Sequence, residues 1–132
     1  MKHLINASVL VVFIIAAGFT FTQAKPWPVP DKAAKTANPV KTDAASVAAG
    51  KVLWSQHCAS CHGKSGLGDG SKAAQLKTQP DDFSKSVFQG QSGGSLFYKV
   101  AEGRDDMPAF KKKIPDTEDI WSLVNYMRTL KK

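Results

Sequence analysis

The chain has 132 residues, 42% of them apolar and 22% charged, which suits one ordinary globular domain, and nothing in it argues for a second core. Lysine and arginine outnumber acidic residues 18 to 11, giving a net charge of +7. Such a basic balance fits an anionic lipid surface, nucleic acid or an acidic protein partner.

At the N-terminus, Lys2 and His3 precede an almost wholly apolar run from Leu4 to Phe21, and Thr22-Gln23-Ala24 puts small residues before Lys25. This pattern predicts a secretory signal peptide over residues 1–24. Its removal takes away one charged group, Lys2, and leaves a mature charge of +6. Asn6 and Ser8 interrupt the run, which is marginal against the roughly 20 apolar residues of a membrane span, so an uncleaved anchor is the alternative. No cysteine stands at the cleavage site to take a lipid. Nucleic acid is a poor match for an exported protein, and an acidic protein partner is the better one.

Residues 25–43 hold Pro26, Pro28, Pro30 and Pro39 with alanine and lysine between them, the composition of an extended leader. Trp27 and Val29 are apolar residues a free tether seldom needs, so the leader either docks in part on the domain or forms a loose tail. The domain proper is expected over residues 44–132. Asp43 is placed to cap a helix from Ala44 to about Gln56, with Val47, Gly50 and Trp54 along one face. Gly50 costs helix stability there, which predicts a close approach by another helix.

Next comes Cys58-Ala59-Ser60-Cys61-His62, the spacing of c-type haem attachment. Two sulfurs on adjacent turns can reach the two vinyl groups on one porphyrin edge, and the following imidazole is held under the iron as an axial ligand. A dithiol redox site would be expected beside a strand-helix-strand pattern, which is absent. A structural zinc site would need four well-spread ligands, and the candidates His57, Cys58, Cys61 and His62 crowd into six positions. A Cys58–Cys61 disulfide would close too small a loop to restrain anything.

Gly63, Gly66, Gly68 and Gly70 follow. A phosphate-binding loop needs a preceding strand and a long following helix; tight turning of the backbone against the porphyrin edge is the simpler reading. A short helix is expected over Ser71–Leu76, then a Pro80-Asp81-Asp82-Phe83 turn whose aromatic can cover haem. Ser95 caps a helix over Leu96–Glu102 that Gly103 stops. Asp116 or Thr117 starts the last helix, with Glu118 and Asp119 in its first turn and Arg128, Lys131 and Lys132 at its end, charges that complement the helix dipole. Ile120, Leu123, Val124, Met127 and Leu130 form its apolar stripe, and Tyr126 is expected beside Gly50 and Trp54. No alternating strand pattern appears, so the fold class is all-α.

A second axial ligand is harder to place by histidine, since His3 lies in the signal and His57 sits beside the first cysteine. Met127 belongs to the helical stripe and reads as core filling. Met107 lies in an irregular loop before Pro108, which biases it away from helical backbone. Met107 is therefore the candidate ligand.

Cys58-Ala59-Ser60-Cys61-His62-Gly63, Gly66-Leu67-Gly68-Asp69-Gly70, Met107-Pro108-Ala109-Phe110 and the helix pair carrying Gly50, Trp54 and Trp121 to Leu130 resemble a class I cytochrome c over about residues 44–130. The resemblance implies three to five short helices around one haem c, thioethers from Cys58 and Cys61, axial ligation by His62 and Met107, and crossing of the first and last helices. It implies a one-electron carrier of the bacterial periplasm and not an enzyme. Its partners would be acidic faces of membrane complexes, a quinol-oxidising complex and a terminal oxidase or reductase, which it would meet as a monomer. Lys64, Lys72, Lys77 and Lys111 to Lys113 could ring the haem edge and steer them. The leader resembles the lead-in of cytochromes fixed in larger membrane complexes, the alternative to free diffusion. A haem enzyme or gas sensor would need Met107 to leave, and no second histidine is placed for distal acid-base work.

Overall fold

The computed structural model describes residues 26–132, so the signal segment expected over residues 1–24 lies outside them. In chain order the helices are α1 (Asp31–Ala34), α2 (Ala44–His57), α3 (Ala59–His62), a 3₁₀ turn (Ala73–Gln75), α4 (Ser86–Gln89), α5 (Gly93–Glu102) and α6 (Thr117–Thr129). Among the described residues no strand forms, and an isolated antiparallel bridge joins Arg104 and Met107. No described helix is long and apolar enough to cross a membrane.

The sequence punctuation sets the two long helices. Asp43 accepts from the Ser46 amide at 3.0 Å while the Ser46 hydroxyl accepts from the Asp43 amide at 3.2 Å, closing a reciprocal cap on α2. Asp116 accepts from the Glu118 amide at 2.9 Å and opens α6. The middle helix starts earlier than expected. Its cap is Ser92, which accepts from the Ser95 amide at 3.1 Å, so Ser95 lies inside the first turn.

Helices α2 and α6 cross at Gly50. A Cβ at that position would overlap the Ser122 carbonyl oxygen and stand 2.6 Å from its carbon and 2.9 Å from Tyr126 Cβ, so only glycine lets the two backbones meet. Trp54, one turn on, lies 5.8 Å from the Tyr126 ring. The expected stripe of α6 is buried from Ile120 to Met127, together with every residue between them, while its last member, Leu130, is the half-buried C-cap beyond the helix. Trp121 stacks on Phe97 of α5 at 4.4 Å. Asn125 is satisfied by Asn38 at 2.8 Å, Thr42 at 2.9 Å and Ser46 at 3.1 Å, which removes the cost of burying an amide.

The leader therefore docks. It is also not wholly extended: behind Pro30 the proline-free run makes the single turn α1, which packs on α5 where the absence of a Gly94 side chain leaves room for the Ala33 carbonyl. Ser92 donates to the Ala34 carbonyl at 2.6 Å. At the far end Arg128 does not simply face the dipole of α6; its guanidinium donates to the Gln89 and Gln91 carbonyls at 2.7 and 2.6 Å and ties α4 to α6.

Candidate functional site

The end of α2 and the turn α3 supply His57, Cys58, Cys61 and His62 to one side of an apolar cavity of about 390 Å³. Cys58 sits at the joint of α2 and α3, its amide closing on the Trp54 carbonyl at 2.9 Å. The helical turn Ala59–His62 then carries Cys61 and the imidazole. Gly63, with φ of +83°, turns the chain at once, and Gly68, with φ of +76°, folds its amide back onto the His62 carbonyl at 2.9 Å. Trp54 Nε1 donates to the Gly63 carbonyl at 3.1 Å, so the α2–α6 crossing and the turn after His62 share a residue.

Met107 enters the same cavity from the loop between α5 and α6. That loop is pinned at both ends. Arg104 and Met107 exchange two backbone hydrogen bonds, at 2.8 and 2.9 Å, and the Phe110 amide donates to the Val100 carbonyl at 3.1 Å. Asp106, next to Met107, accepts from the Lys77 amide at 2.7 Å and the Thr78 amide at 3.2 Å, bridging to the loop on the other side of the cavity mouth. Met127 also lines the cavity, although it is buried in the stripe of α6. His57 lines it too, edge-on to Phe110 at 6.0 Å.

Phe83, expected to cover haem, is buried 4.9 Å from the His62 ring and stacks on Phe88 at 3.7 Å. Burial pushes the Cys58 thiol up to about 12, with Cys61 adding to the shift, far from the depressed values of reactive redox dithiols. Burial also holds His62 below its ordinary value, against a smaller opposing pull from Asp81. A neutral imidazole keeps a lone pair for a metal.

These residues fit a haem. The cavity wall is mostly apolar, two sulfurs, an imidazole and a thioether converge on it, and His62 Nδ1 is buried with no hydrogen-bond partner. Sequence reasoning missed Asp106 and Arg104, which act across 28 or more positions or through the leader, and Gln91 and Lys99, which line the cavity and bond each other at 2.5 Å. Only the indole of Trp54 had a signal, its place opposite Tyr126.

Residues 45–127 match the family described as cytochrome C oxidase, cbb3-type, subunit III. The cbb3-type cytochrome c oxidase subunit CcoP of Azospirillum brasilense is 30% identical over 94 residues, which are 70% of this chain and 31% of that protein. The chain thus spans about a third of the length of that curated relative. A chain of the Kuenenia stuttgartiensis reducing HAO-like protein complex superposes with a TM-score of 0.66 at 26% identity, over 85% of this chain and 54% of that one. The KustC0563 c-type cytochrome gives 0.56 at 29% identity, over 63% of this chain and 98% of its own. Motif, helical fold and family match converge: the chain belongs to the cbb3-type cytochrome c oxidase subunit III family, as a class I c-type cytochrome with covalently bound haem c.

Proposed function

We propose that this chain passes single electrons through its haem c as a fixed subunit of a larger respiratory complex, a terminal oxidase, on the periplasmic side of the bacterial inner membrane. The observation that carries this reading is the convergence of Cys58, Cys61, His62 and Met107 on one cavity, in a chain that matches an oxidase subunit family over residues 45–127. Cys58 and Cys61 would hold the vinyl edge, and His62 and Met107 would bind the iron. When bound, the haem supplies the redox chemistry, its iron alternating between ferrous and ferric.

The rest falls to the protein. Phe83, Phe88, Leu96 and Val100 keep water from the site, and the soft thioether of Met107 would raise the potential of a haem held there. The pinned Met107 loop and the bonded turn around His62 would keep both side chains in place in either oxidation state, so that little reorganisation would accompany transfer. No acid-base or nucleophilic group is required, and the chain is not an enzyme in its own right. Lys64, Lys72, Lys77 and Lys112 are exposed and steer the acidic face of a redox partner.

The test is native gel analysis of mildly solubilised membranes, followed by spectroscopy of the band that contains this chain. Expected are co-migration with oxidase activity, a sulfur-to-iron band in the ferric form and no carbon monoxide binding to this haem in the ferrous form. Recovery of the chain solely as a soluble monomer would overturn the fixed-subunit reading in favour of a diffusing carrier, and ready carbon monoxide binding would overturn the carrier reading itself. For docking, Lys72→Glu with Lys112→Glu should slow reduction by the partner several-fold at low salt and have little effect at high salt. A rate indifferent to both salt and substitution sinks the lysine claim.

A further inference from the structure

The family match begins at residue 45, so the leader stands outside it. Yet the leader does more than lie on the domain. Asn38 and α1 anchor it to α6 and α5, and beyond them Pro26 and Trp27 reach back to the cavity and line it.

There the Pro26 carbonyl accepts from Arg104 Nη1 at 2.9 Å, and the guanidinium carbon lies 4.6 Å from the centroid of the Trp27 ring. The Lys99 ammonium is 5.3 Å from the same centroid. Two cations packed on one indole give this end of the leader a specific partner set, which apolar burial alone would not. Arg104 is in turn the residue that exchanges both backbone hydrogen bonds with Met107. Leader, Arg104 and Met107 form one continuous line of contacts, while Asp106 holds the loop from its other side.

We infer that Pro26 and Trp27 are a strap on the Met107 loop, so that Trp27 is a positioning residue that sets how firmly the thioether is held at the iron. This rests on the reading of Met107 as axial ligand. It gives the leader a role in ligand retention beyond tethering, and it makes the iron's sixth position sensitive to anything that pulls on residues 26–30.

The test uses ferric holoprotein and imidazole as a competing ligand, followed by loss of the sulfur-to-iron band. Trp27→Ala should bind imidazole roughly 3- to 10-fold more tightly, the fold-change expected from loss of a cation–π pair. Trp27→Leu keeps apolar bulk without a π face and should behave like Trp27→Ala; Trp27→Phe should stay within about 2-fold of wild type. Asn38→Ala cuts the leader's bond to Asn125, away from the Met107 loop; it should lower the denaturation midpoint and leave imidazole affinity unchanged. Wild-type affinity in both Trp27→Ala and Trp27→Leu overturns the strap, as does a shift in Asn38→Ala as large as theirs. A wild-type spectrum without the sulfur band would instead overturn the Met107 reading on which the strap rests.

Discussion

Gly50→Ala separates two opposite expectations at a single atom. In an exposed helix interior, alanine is worth about 1 kcal/mol over glycine, so the substitution should stabilise. At the crossing of α2 and α6 the new Cβ overlaps the Ser122 carbonyl oxygen, with the Ser122 carbonyl carbon at 2.6 Å and Tyr126 Cβ at 2.9 Å. Two of these three neighbours are backbone, which no rotamer change can move, so relief requires the helices to part. Overpacking costs typically 1–3 kcal/mol, and a backbone clash belongs at the upper end, which leaves a net loss of about 2 kcal/mol after the propensity gain. For a domain of this size that is roughly 10 °C in Tm. The assay is guanidinium unfolding of the ferric holoprotein, read as a lower midpoint at unchanged slope. Gly93→Ala is the matched control, since its Cβ would meet only Trp121, at 3.7 Å, and should be neutral or mildly stabilising. A Gly50→Ala protein more stable than wild type would refute the crossing.

Asp106→Ala leaves the Lys77 and Thr78 amides to water and frees the loop beside Met107; external ligands should bind the ferric iron roughly 3- to 10-fold more tightly, with Asp106→Asn in between. Unchanged binding in both would show that the bridge does not act on the ligand loop. Burial raises the Tyr126 phenol above its ordinary value of 10.0, so the fold favours the neutral form. Its contribution is complete below pH 10 and is lost as pH rises through the folded value. Unfolding free energy measured from pH 8 upward should therefore fall more steeply in wild type than in Tyr126→Phe, and parallel curves would contradict the assignment.

Much of the site was legible because its chemistry is local. Cys58, Cys61 and His62 lie within one turn and a half, and the caps at Asp43 and Asp116 are each written within three residues. Gly50 predicted a helix contact because nothing else justifies a glycine there, and Tyr126 is indeed its neighbour. The start of α5 was misplaced because Gly93 and Gly94 look like a loop, and the reason for Gly94, room for the Ala33 carbonyl, lies 61 positions away. The turn of α1 is hidden among prolines, in the proline-free gap between Pro30 and Pro39. Asp106 and the Arg104–Trp27 stack had no local signature at all, since each pairs groups whose nearness exists only once the chain has folded.

The order of the elements along the chain has a consequence for how the protein is made. The attachment cysteines follow α2 directly, but the helix that completes the core around them is α6, and Gly50 meets Tyr126 across 76 positions. Closing so long a loop is entropically costly and slow beside forming a single turn. The attachment motif is therefore complete within one short stretch of chain, whereas the wall that encloses it can be built only when both ends of the domain, α2 and α6, are present together.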